Sequence, residues 1–417
     1  MLPKEIYIVD GYRTPFSKFN TDLQDEPPYL FGTSPAKHLF LQTGIDPSRV
    51  DEVVFGCCNQ PANTIGNIAR LIGVRSGVPE DVPAVTVHRN CASGFEAITY
   101  ACDKAAAGKG NIFLVGGVES MSQAPFLFNK DAVKKFTNLS RSRSVTSKVK
   151  NALSFRASDF SPEVSLKLAL VDGLCDMGMG HTAELLAREY NISRKQQDEF
   201  AAWSHKKAIE GKSNLEDEIA PFYNTRDNCL RSHNGKITYD DNGPRTDSTV
   251  EKLGKLRTVF DRNGTVTAGN SSQVTDGGAV LLLMTKQGLL DTGATPIARI
   301  MDYAYAGCDP RRMGLGPVKA IERLTNESDF KLDNMNLVEI NEAFAAQVLA
   351  CQSQLNVPEH KLNVNGGAIA LGHPLAASGA RLAITASKEL KRRNLRDACV
   401  SLCVGGGQGG ALWIQNA

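Results

Sequence analysis

Two cysteines near opposite ends of the chain stand in settings that suit nucleophilic chemistry. Cys91 opens an Asn-Cys-Ala-Ser-Gly turn just before a helical pattern, and Cys403 leads into a glycine-rich run at 404–410. The aligned N–H groups of a helix N-terminus favour a thiolate, so this position predicts a lowered pKa for Cys91. Consecutive glycines let backbone N–H groups approach a substrate oxygen. Either cysteine taken alone is explained more simply as a small buried core residue.

A histidine favours the nucleophilic interpretation of Cys91 over that of a buried core residue. His373 lies between Gly372 and Pro374 in a glycine-rich turn rather than on an apolar helix face. A neutral imidazole within hydrogen-bonding reach would activate Cys91 as a nucleophile. Asn341 follows an apolar strand-like run and either caps the next helix or belongs to the same site. The set predicts acyl transfer through a cysteine, with a second thiol as a separate proton shuttle.

Length and composition limit the class of protein. The 417 residues provide chain for two to three domains, and 42% hydrophobic against 22% charged residues indicates a folded protein with large cores. The formal net charge is only +2, which argues against nucleic acid as a partner.

The cysteines and the N-terminus indicate a reducing environment. Residues 1–10 contain no signal-peptide run and read as a first strand. Cys102, Cys351 and Cys399 lie in apolar or helical settings typical of reduced thiols, so we expect a cytoplasmic protein. No window is long enough to span a membrane, and without a CxxC pair we expect no metal site.

An internal repeat organises the chain. Residues 84–87 predict a strand that leads into the Cys91 turn, a helix ending at Gly108, and a second strand, 112–115, closed by two glycines. The same order recurs later: an apolar stretch at 362–364, a glycine turn, a helix ending at 391–393 and a strand at 398–402. Both helices begin with Ala-Ser-Gly. In these strands, apolar residues do not alternate with polar ones, and helices lie between the strands. This pattern predicts two related α/β halves with parallel or mixed sheets covered on both faces.

The middle of the chain, 125–244, has a different character. It is richer in charge, with helices predicted at 182–189 and 193–210, the latter capped by Ser193 with Gln196 three residues on. The segment 130–156 carries eight basic residues against one acid, Asp131. The favoured interpretation is a solvated loop. The alternative is a basic surface that meets an anionic membrane, a partner subunit or coenzyme phosphates.

Six motifs, in order along the chain, resemble those of thiolases: His88–Gly94, Gly116–Ser122, Gly264–Ser272, Asn341–Ala345, Gly366–Pro374 and Cys403–Gly407. The resemblance implies the thiolase fold: two related five-stranded mixed sheets with helices in layers, plus an inserted loop domain. It divides the chain into an N-terminal half at 1–124 and 245–290, the loop domain at 125–244 and a C-terminal half at 291–417.

The resemblance also implies roles for the residues within these motifs. Cys91 matches the nucleophile, His373 the base that activates it, and Asn341 the residue that fixes a water beside the thioester oxygen. Cys403 matches the second acid/base, and the amides of Cys91 and Gly405 match a second oxyanion hole. For coenzyme A, it implies contacts from Arg257 and Ser272 and channel walls formed by Ala268 and Phe344.

The activity so implied is thiolytic cleavage of a 3-oxoacyl-CoA by coenzyme A, reversible as a Claisen condensation, with coenzyme A as substrate and neither a metal nor a redox cofactor. An acetyl-CoA acetyltransferase is the alternative. Similarity of the long basic segment to β subunits of fatty-acid-oxidation complexes adds an α subunit as a candidate partner, beside a homodimer or homotetramer. A ketosynthase would lack a second catalytic cysteine, and a non-catalytic acyl-CoA carrier would not need Cys91, His373 and Cys403 together.

Overall fold

The computed structural model describes residues 2–61, 66–224 and 237–417. The strands are β1 Ile6–Arg13, β2 Ser17–Lys18, β3 Glu52–Gly56, β4 Ala84–Val87, β5 Ile112–Glu119, β6 Phe126–Leu127, β7 Glu163–Val164, β8 Phe222–Tyr223, β9 Ile237–Thr238, β10 Thr275–Thr285, β11 Ala298–Gly307, β12 Leu337–Ile340, β13 Asp397–Val404 and β14 Gln408–Asn416. The helices are α1 Tyr29–Thr43, α2 Ile68–Arg75, α3 Ser93–Ala106, α4 Lys130–Arg141, α5 Val145–Ala152, α6 Ser165–Ala169, α7 Met179–Glu189, α8 Arg194–Glu210, α9 Lys212–Glu216, α10 Val250–Leu253, α11 Lys286–Thr292, α12 Gly316–Glu327, α13 Ala345–Leu355, α14 Ala368–Leu371 and α15 Leu375–Arg392.

One mixed sheet runs through both halves of the molecule. Its order is β12-β13-β14-β11-β1-β10-β5-β3-β4, and β2 also pairs with β10. The halves join where Ile6–Ile8 of β1 pairs with Ala298–Ile300 of β11. The strands that were expected as two sheets therefore form one continuous sheet of ten strands among the described residues, six from the N-terminal half and four from the C-terminal half.

The second copy of the repeat lacks the strand expected at 362–364. Leu362 makes a single parallel bridge to Val338 of β12. Asn363 then adopts a left-handed backbone with φ of 42°. Its side-chain amide accepts from the Ile340 N–H at 2.9 Å and donates to the Ile340 carbonyl at 3.0 Å. A side chain thus provides the pairing that a strand would have given to the end of β12.

The helices cover the sheet in layers. The cluster around α3 and α15 contains apolar residues from strands of both halves, so these two helices form a central layer. Helices α1 and α2 cover the other face of the N-terminal strands, and α12 and α13 cover that of the C-terminal strands. Along β10, Leu281 and Leu283 face the central layer whereas Leu282 and Met284 face the outer one. Burial on both faces explains why these strands are apolar throughout.

Glycines allow the two central helices to approach the sheet closely. Strand β5 does not stop at Gly116 and Gly117, as expected, but continues to Glu119. A Cβ on Gly117 would lie 1.9 Å from the Ala376 carbonyl oxygen in the first turn of α15, and one on Gly94 of α3 would lie 2.3 Å from that oxygen. The glycines are therefore needed for the crossing of α15 over α3 and β5, rather than for a turn.

The prediction of a solvated loop at 130–156 is wrong. Helices α4 and α5 form a helical hairpin there, held by rings of Phe136 against Phe128, Phe155 and Phe160. The density of charge suggested a loop, but the aromatic residues that close this hairpin are scattered in sequence and meet only in three dimensions. The helix expected at 193–210 is present as α8, and Ser193 and Gln196 form the capping box. Within the described residues, no helix is long and apolar enough to cross a bilayer.

Candidate active site

Cys91 lies in a rigid turn between β4 and α3. Asn90 before it has a left-handed φ of 45°, which asparagine tolerates better than most residues. The Ser93 hydroxyl accepts from the Arg89 N–H at 2.9 Å and donates to the Asn90 carbonyl at 2.7 Å. These bonds fix the backbone on both sides of Cys91 and hold its side chain at the N-terminal end of α3.

The surroundings of Cys91 keep its thiol protonated at rest. Burial raises its pKa to about 11, although the backbone N–H groups of Gly405 and of Cys91 itself donate toward the sulfur and oppose that shift. The expectation of a lowered pKa is therefore wrong, because removal of the thiolate from water outweighs the helix N-terminus and these donors. The thiol needs a base to become a nucleophile.

Gly405 is tied to the cysteine turn by a side chain. The Asn90 side-chain amide donates to the Gly405 carbonyl oxygen at 2.7 Å. At the other end of the same peptide group, the Gly406 N–H donates to the Asp172 carboxylate at 2.8 Å. The two N–H groups that face the Cys91 sulfur thus come from opposite halves of the chain and are fixed relative to each other.

His373 lies in the bend between α14 and α15, and only 5% of it is exposed. Its Nδ1 is 2.5 Å from the Ser378 hydroxyl, which donates its own hydrogen to the Pro374 carbonyl at 3.0 Å. The hydroxyl must then accept from Nδ1–H, which leaves Nε2 unprotonated and able to act as a base. Burial, followed by the charge of Arg381, lowers the pKa of His373 to about 3, so the imidazole is neutral at rest.

Asn341 lies next to His373 and is not a helix cap. It follows β12 directly, whereas α13 begins four residues later with Phe344 as its N-cap. Its Nδ2 lies 3.4 Å from His373 Nε2. Its Oδ1 is buried and has no hydrogen-bond partner among the described residues. A buried amide oxygen in that state is a suitable position for a bound water.

Cys403 is the penultimate residue of β13 and is 2% exposed. Burial raises the pKa of its thiol well above the ordinary value, and the neighbouring Cys91 sulfur adds to that shift. The two thiols therefore have different environments. Cys91 faces backbone N–H donors, whereas Cys403 packs among apolar side chains that include Phe344 and Met313.

The side chains of Cys91, His373 and Cys403 line one cavity of about 730 Å³. Gly405, Ser272 and Phe344 also contribute to its lining. Asn341 lies behind His373 and is fully buried. Arg257 and Ala268, expected to contact coenzyme A, are exposed residues outside the described lining. The structure thus brings together the residues expected to do chemistry, with two of the four coenzyme residues in the cavity wall.

Residues 165–181 supply much of the apolar wall of this cavity, and they belong to the inserted segment, 125–244. Leu166, Leu170 and Met179 are among the residues that line the cavity. His181 also lies in this wall, with its ring edge-on to Phe260. The wall has far more carbon than polar surface, which suits an acyl chain or the pantetheine arm better than a charged group.

Glu119 is a supporting residue whose role the sequence did not reveal. It is fully buried and accepts from the N–H groups of Asn59 at 2.8 Å, Ala376 at 3.1 Å and Cys58 at 3.3 Å. Burial raises its pKa to about 7. The carboxyl group holds the loop after β3 to the first turn of α15. The position of Glu119 in the Gly116–Ser122 motif was the one sequence feature that could have indicated this role. Its hydrogen-bond partners are distant in sequence.

Comparisons with known proteins agree with this geometry. The chain matches the family model for the thiolase N-terminal domain over residues 6–287 and that for the thiolase C-terminal domain over 294–416. It is 38% identical to the mitochondrial 3-ketoacyl-CoA thiolase of Bos taurus, covering 100% of this chain and 99% of that protein. It is 37% identical to the 3-oxoadipyl-CoA/3-oxo-5,6-dehydrosuberyl-CoA thiolase of Escherichia coli K12, over 99% of each chain.

Solved structures show the same fold. Human mitochondrial 3-ketoacyl-CoA thiolase superposes with a TM-score of 0.89 at 35% identity, over 100% of both chains. The acetyl-CoA acetyltransferase of Bacillus anthracis gives a TM-score of 0.89 at 34% identity, over 99% of both. The two family models together cover almost the whole sequence, and so do the relatives and the superposed structures. The chain therefore belongs to the thiolase family.

Proposed function

We propose that this protein cleaves a 3-oxoacyl-CoA with coenzyme A, giving acetyl-CoA and an acyl-CoA shortened by one acetyl unit, through an acyl-enzyme on Cys91. The observation that carries the proposal is the shared cavity of Cys91, His373 and Cys403. A protonated nucleophilic thiol, a neutral imidazole with an unprotonated Nε2 and a second buried thiol are the groups that this reaction requires.

Acylation begins with a proton transfer. His373 Nε2 takes the Cys91 proton as the sulfur attacks the 3-keto carbon. The oxygen of that carbon becomes negative, and the N–H groups of Cys91 and Gly405 are available to stabilise it. These donors already face the sulfur and are held by Asn90, so little reorganisation accompanies the attack.

Carbon–carbon cleavage then leaves acetyl-CoA as an enolate. The charge moves to its thioester oxygen, where the new His373 Nε2–H and a water on Asn341 Oδ1 are placed to donate. Cys403 gives its proton to the enolate carbon, and acetyl-CoA departs. A second coenzyme A thiol gives its proton to the Cys403 thiolate and attacks the acyl-Cys91 carbonyl. His373 returns its proton to the departing Cys91 sulfur, so all protons balance. Run in reverse, the same steps condense two thioesters.

An acetyl-CoA acetyltransferase that makes or degrades acetoacetyl-CoA is the second candidate, favoured by the equal structural similarity to the Bacillus anthracis enzyme. The apolar wall from the inserted segment supports a longer acyl chain. Thiolysis rates across 3-oxoacyl-CoA substrates of increasing length distinguish the two. We expect longer chains to react faster than acetoacetyl-CoA, whereas a preference for acetoacetyl-CoA would establish the acetyltransferase.

Alkylation separates this enzyme from a non-catalytic carrier, and dependence on Cys403 separates it from a ketosynthase. A non-catalytic carrier should have no selectively reactive thiol, whereas we expect iodoacetamide to modify Cys91 first and acetyl-CoA to protect it. A ketosynthase would not depend on Cys403, whose position in the cavity supports its use as an acid/base.

We further propose that the reaction needs neither a metal nor a redox cofactor, because thiols and thioesters supply the nucleophile, the leaving group and the protons. A homodimer or homotetramer is the assembly we propose from the family resemblance, with an α subunit as a further candidate partner. A cytoplasmic or otherwise reducing location is supported by the described cysteines, all of which are free thiols.

A further inference from the structure

The outer side of α5 carries an apolar stripe that no described residue covers. Val145, Val149 and Leu153 are 78%, 53% and 81% exposed. They recur every four residues and therefore lie on one side of the helix. Together with Thr146, Lys150 and Ser154 they line a single surface pocket. Three large apolar side chains so exposed in a row point to a surface that is covered in use.

The stripe is not required to hold the hairpin together. The hairpin is closed on its other side by Phe136, whose ring contacts Phe128, Phe155 and Phe160. An ion pair of 2.6 Å between Lys135 and Asp159 adds to that closure. These ring contacts and this ion pair hold the hairpin together although Phe128, Phe136 and Phe160 stay 49%, 37% and 57% exposed. The outer stripe takes no part in those contacts, so it needs an explanation other than folding of the segment.

The charge around the stripe has one sign. No acidic residue occurs between Asp131 and Asp159. Basic residues in this interval that have no ion pair among the described residues are Arg141, Arg143, Lys148, Lys150 and Arg156. Lys148 and Lys150 are exposed and lie within α5 itself, beside the stripe. The surface is therefore complementary to a polyanion with an apolar interior.

We propose that α5 docks the protein onto the surface of an anionic lipid bilayer. Val145, Val149 and Leu153 enter the boundary between headgroups and acyl chains, and Lys148 and Lys150 pair with lipid phosphates. A stable protein interface buries about 1,200–2,000 Å² in total, more than one short helix can offer. Shallow insertion of a few apolar side chains beside several cations is, in contrast, sufficient for reversible membrane binding.

The hairpin adjoins the wall of the active-site cavity. Pairing of Phe126 in β6 with Val164 in β7 closes its base, and the next residue, Ser165, lines the cavity. Nearby Leu168 and Leu174 are 52% and 74% exposed. If the proposed function holds, docking brings this wall toward a surface into which acyl thioesters partition. Docking itself does not depend on that activity and is measured without substrate.

The test is sedimentation of the full-length protein with vesicles of phosphatidylcholine alone or mixed with phosphatidylglycerol. We expect at least about tenfold stronger binding to the anionic vesicles, weakened by salt. The variant V145S/V149S/L153S and the variant K148E/K150E should each lose roughly tenfold or more of that binding. Matched controls are L41S/L290S, at side chains 77% and 71% exposed, and K195E/K206E, at exposed lysines on α8; neither should change binding.

Several results overturn the proposal: equal or undetectable binding to both vesicle types, or α5 variants that bind as the wild type does. Light scattering of the same proteins supplies the second readout. A stripe variant with reduced molecular mass would show that another copy of the chain covers α5. Binding of a purified α subunit that is abolished by V145S/V149S/L153S, without lipid binding, would assign the surface to that partner. The charge variant changes only exposed side chains, so its result does not depend on refolding of the stripe variant.

Discussion

The side-chain amide of Asn90 donates to the carbonyl oxygen of Gly405 at 2.7 Å, across 315 positions of sequence. This bond joins the turn that carries the nucleophile to the glycine turn after Cys403. It holds together the two backbone N–H groups that face the Cys91 sulfur.

Replacement of Asn90 by glycine tests this bond without straining the backbone. Glycine accepts the left-handed φ of 45° and removes only the amide. We expect kcat to fall by roughly tenfold or more, because a misplaced Gly405 N–H stabilises the oxyanion less well. Steady-state thiolysis kinetics provide the measurement. An unchanged kcat would show that Gly405 is positioned by other contacts.

Cys91→Ala should leave the fold intact and abolish turnover, since Cys91 is the residue proposed to carry the acyl group. The measurement is intact-protein mass spectrometry after incubation with acetyl-CoA, with circular dichroism as the control for folding. Detection of an acyl adduct on this variant would assign the nucleophile to a different residue.

Cys403→Ala should still become acylated on Cys91 but should lose exchange of the acetyl methyl protons of acetyl-CoA with solvent. The reason is that acylation uses His373, whereas exchange requires an acid/base at the carbon. NMR in deuterated buffer follows the exchange. Exchange at the wild-type rate would exclude Cys403 from this role.

Ser378→Ala removes the acceptor of His373 Nδ1–H and should lower kcat by roughly tenfold, because the imidazole loses its fixed tautomer and orientation. Ser387→Ala is the matched control, since Ser387 is also buried in α15 but, among the described residues, its hydroxyl bonds only to the Ala383 carbonyl. The pH profile of acylation should shift for the first variant alone. Identical profiles for both variants would reduce Ser378 to a packing role.

The buried imidazole should make stability depend on acidity. His373 has a pKa of about 3 in the folded protein against 6.5 as its ordinary value, so between these limits the unfolded chain binds a proton that the folded chain does not. The contribution of His373 to the free energy of unfolding is present in full above pH 6.5. It is lost as pH falls toward 3, by roughly 1.4 kcal/mol per pH unit.

Urea unfolding of the wild type and of His373→Gln at about pH 7 and about pH 5 isolates the contribution of His373 to the free energy of unfolding. All other titratable groups are the same in the two proteins. The wild type should lose about 2 kcal/mol more than the variant between the two conditions. Equal losses would show that the imidazole is hydrated or protonated in the folded state.

The sequence was informative where chemistry and local motif coincide. The turns around Cys91, His373 and Cys403 are each recognisable from neighbouring residues, so their meeting in one cavity followed from the family resemblance. Ser378 was noticed only as a small residue, because its bond to His373 depends on the bend at Pro374. Glu119 and Asn90 act on partners from the other half of the chain, which no local pattern contains.

The errors have a common physical origin in burial and long-range packing. Helix-terminal donors predicted a lowered pKa for Cys91, but desolvation, which raises it to about 11, is a property of the assembled cavity. Charge predicted a loop at 130–156, where scattered phenylalanines close two helices. Glycines predicted the end of β5, where in fact they make room for the Ala376 carbonyl.

The glycine crossing of α15 over α3 and β5 has a consequence for how ligands come and go. The Ala376 oxygen occupies the space of a Cβ at both Gly94 and Gly117, and β1 pairs with β11, so close backbone contacts join the two halves. Separation of the halves would break these contacts, and we therefore expect substrate and product to pass the residues of the inserted segment that line the cavity.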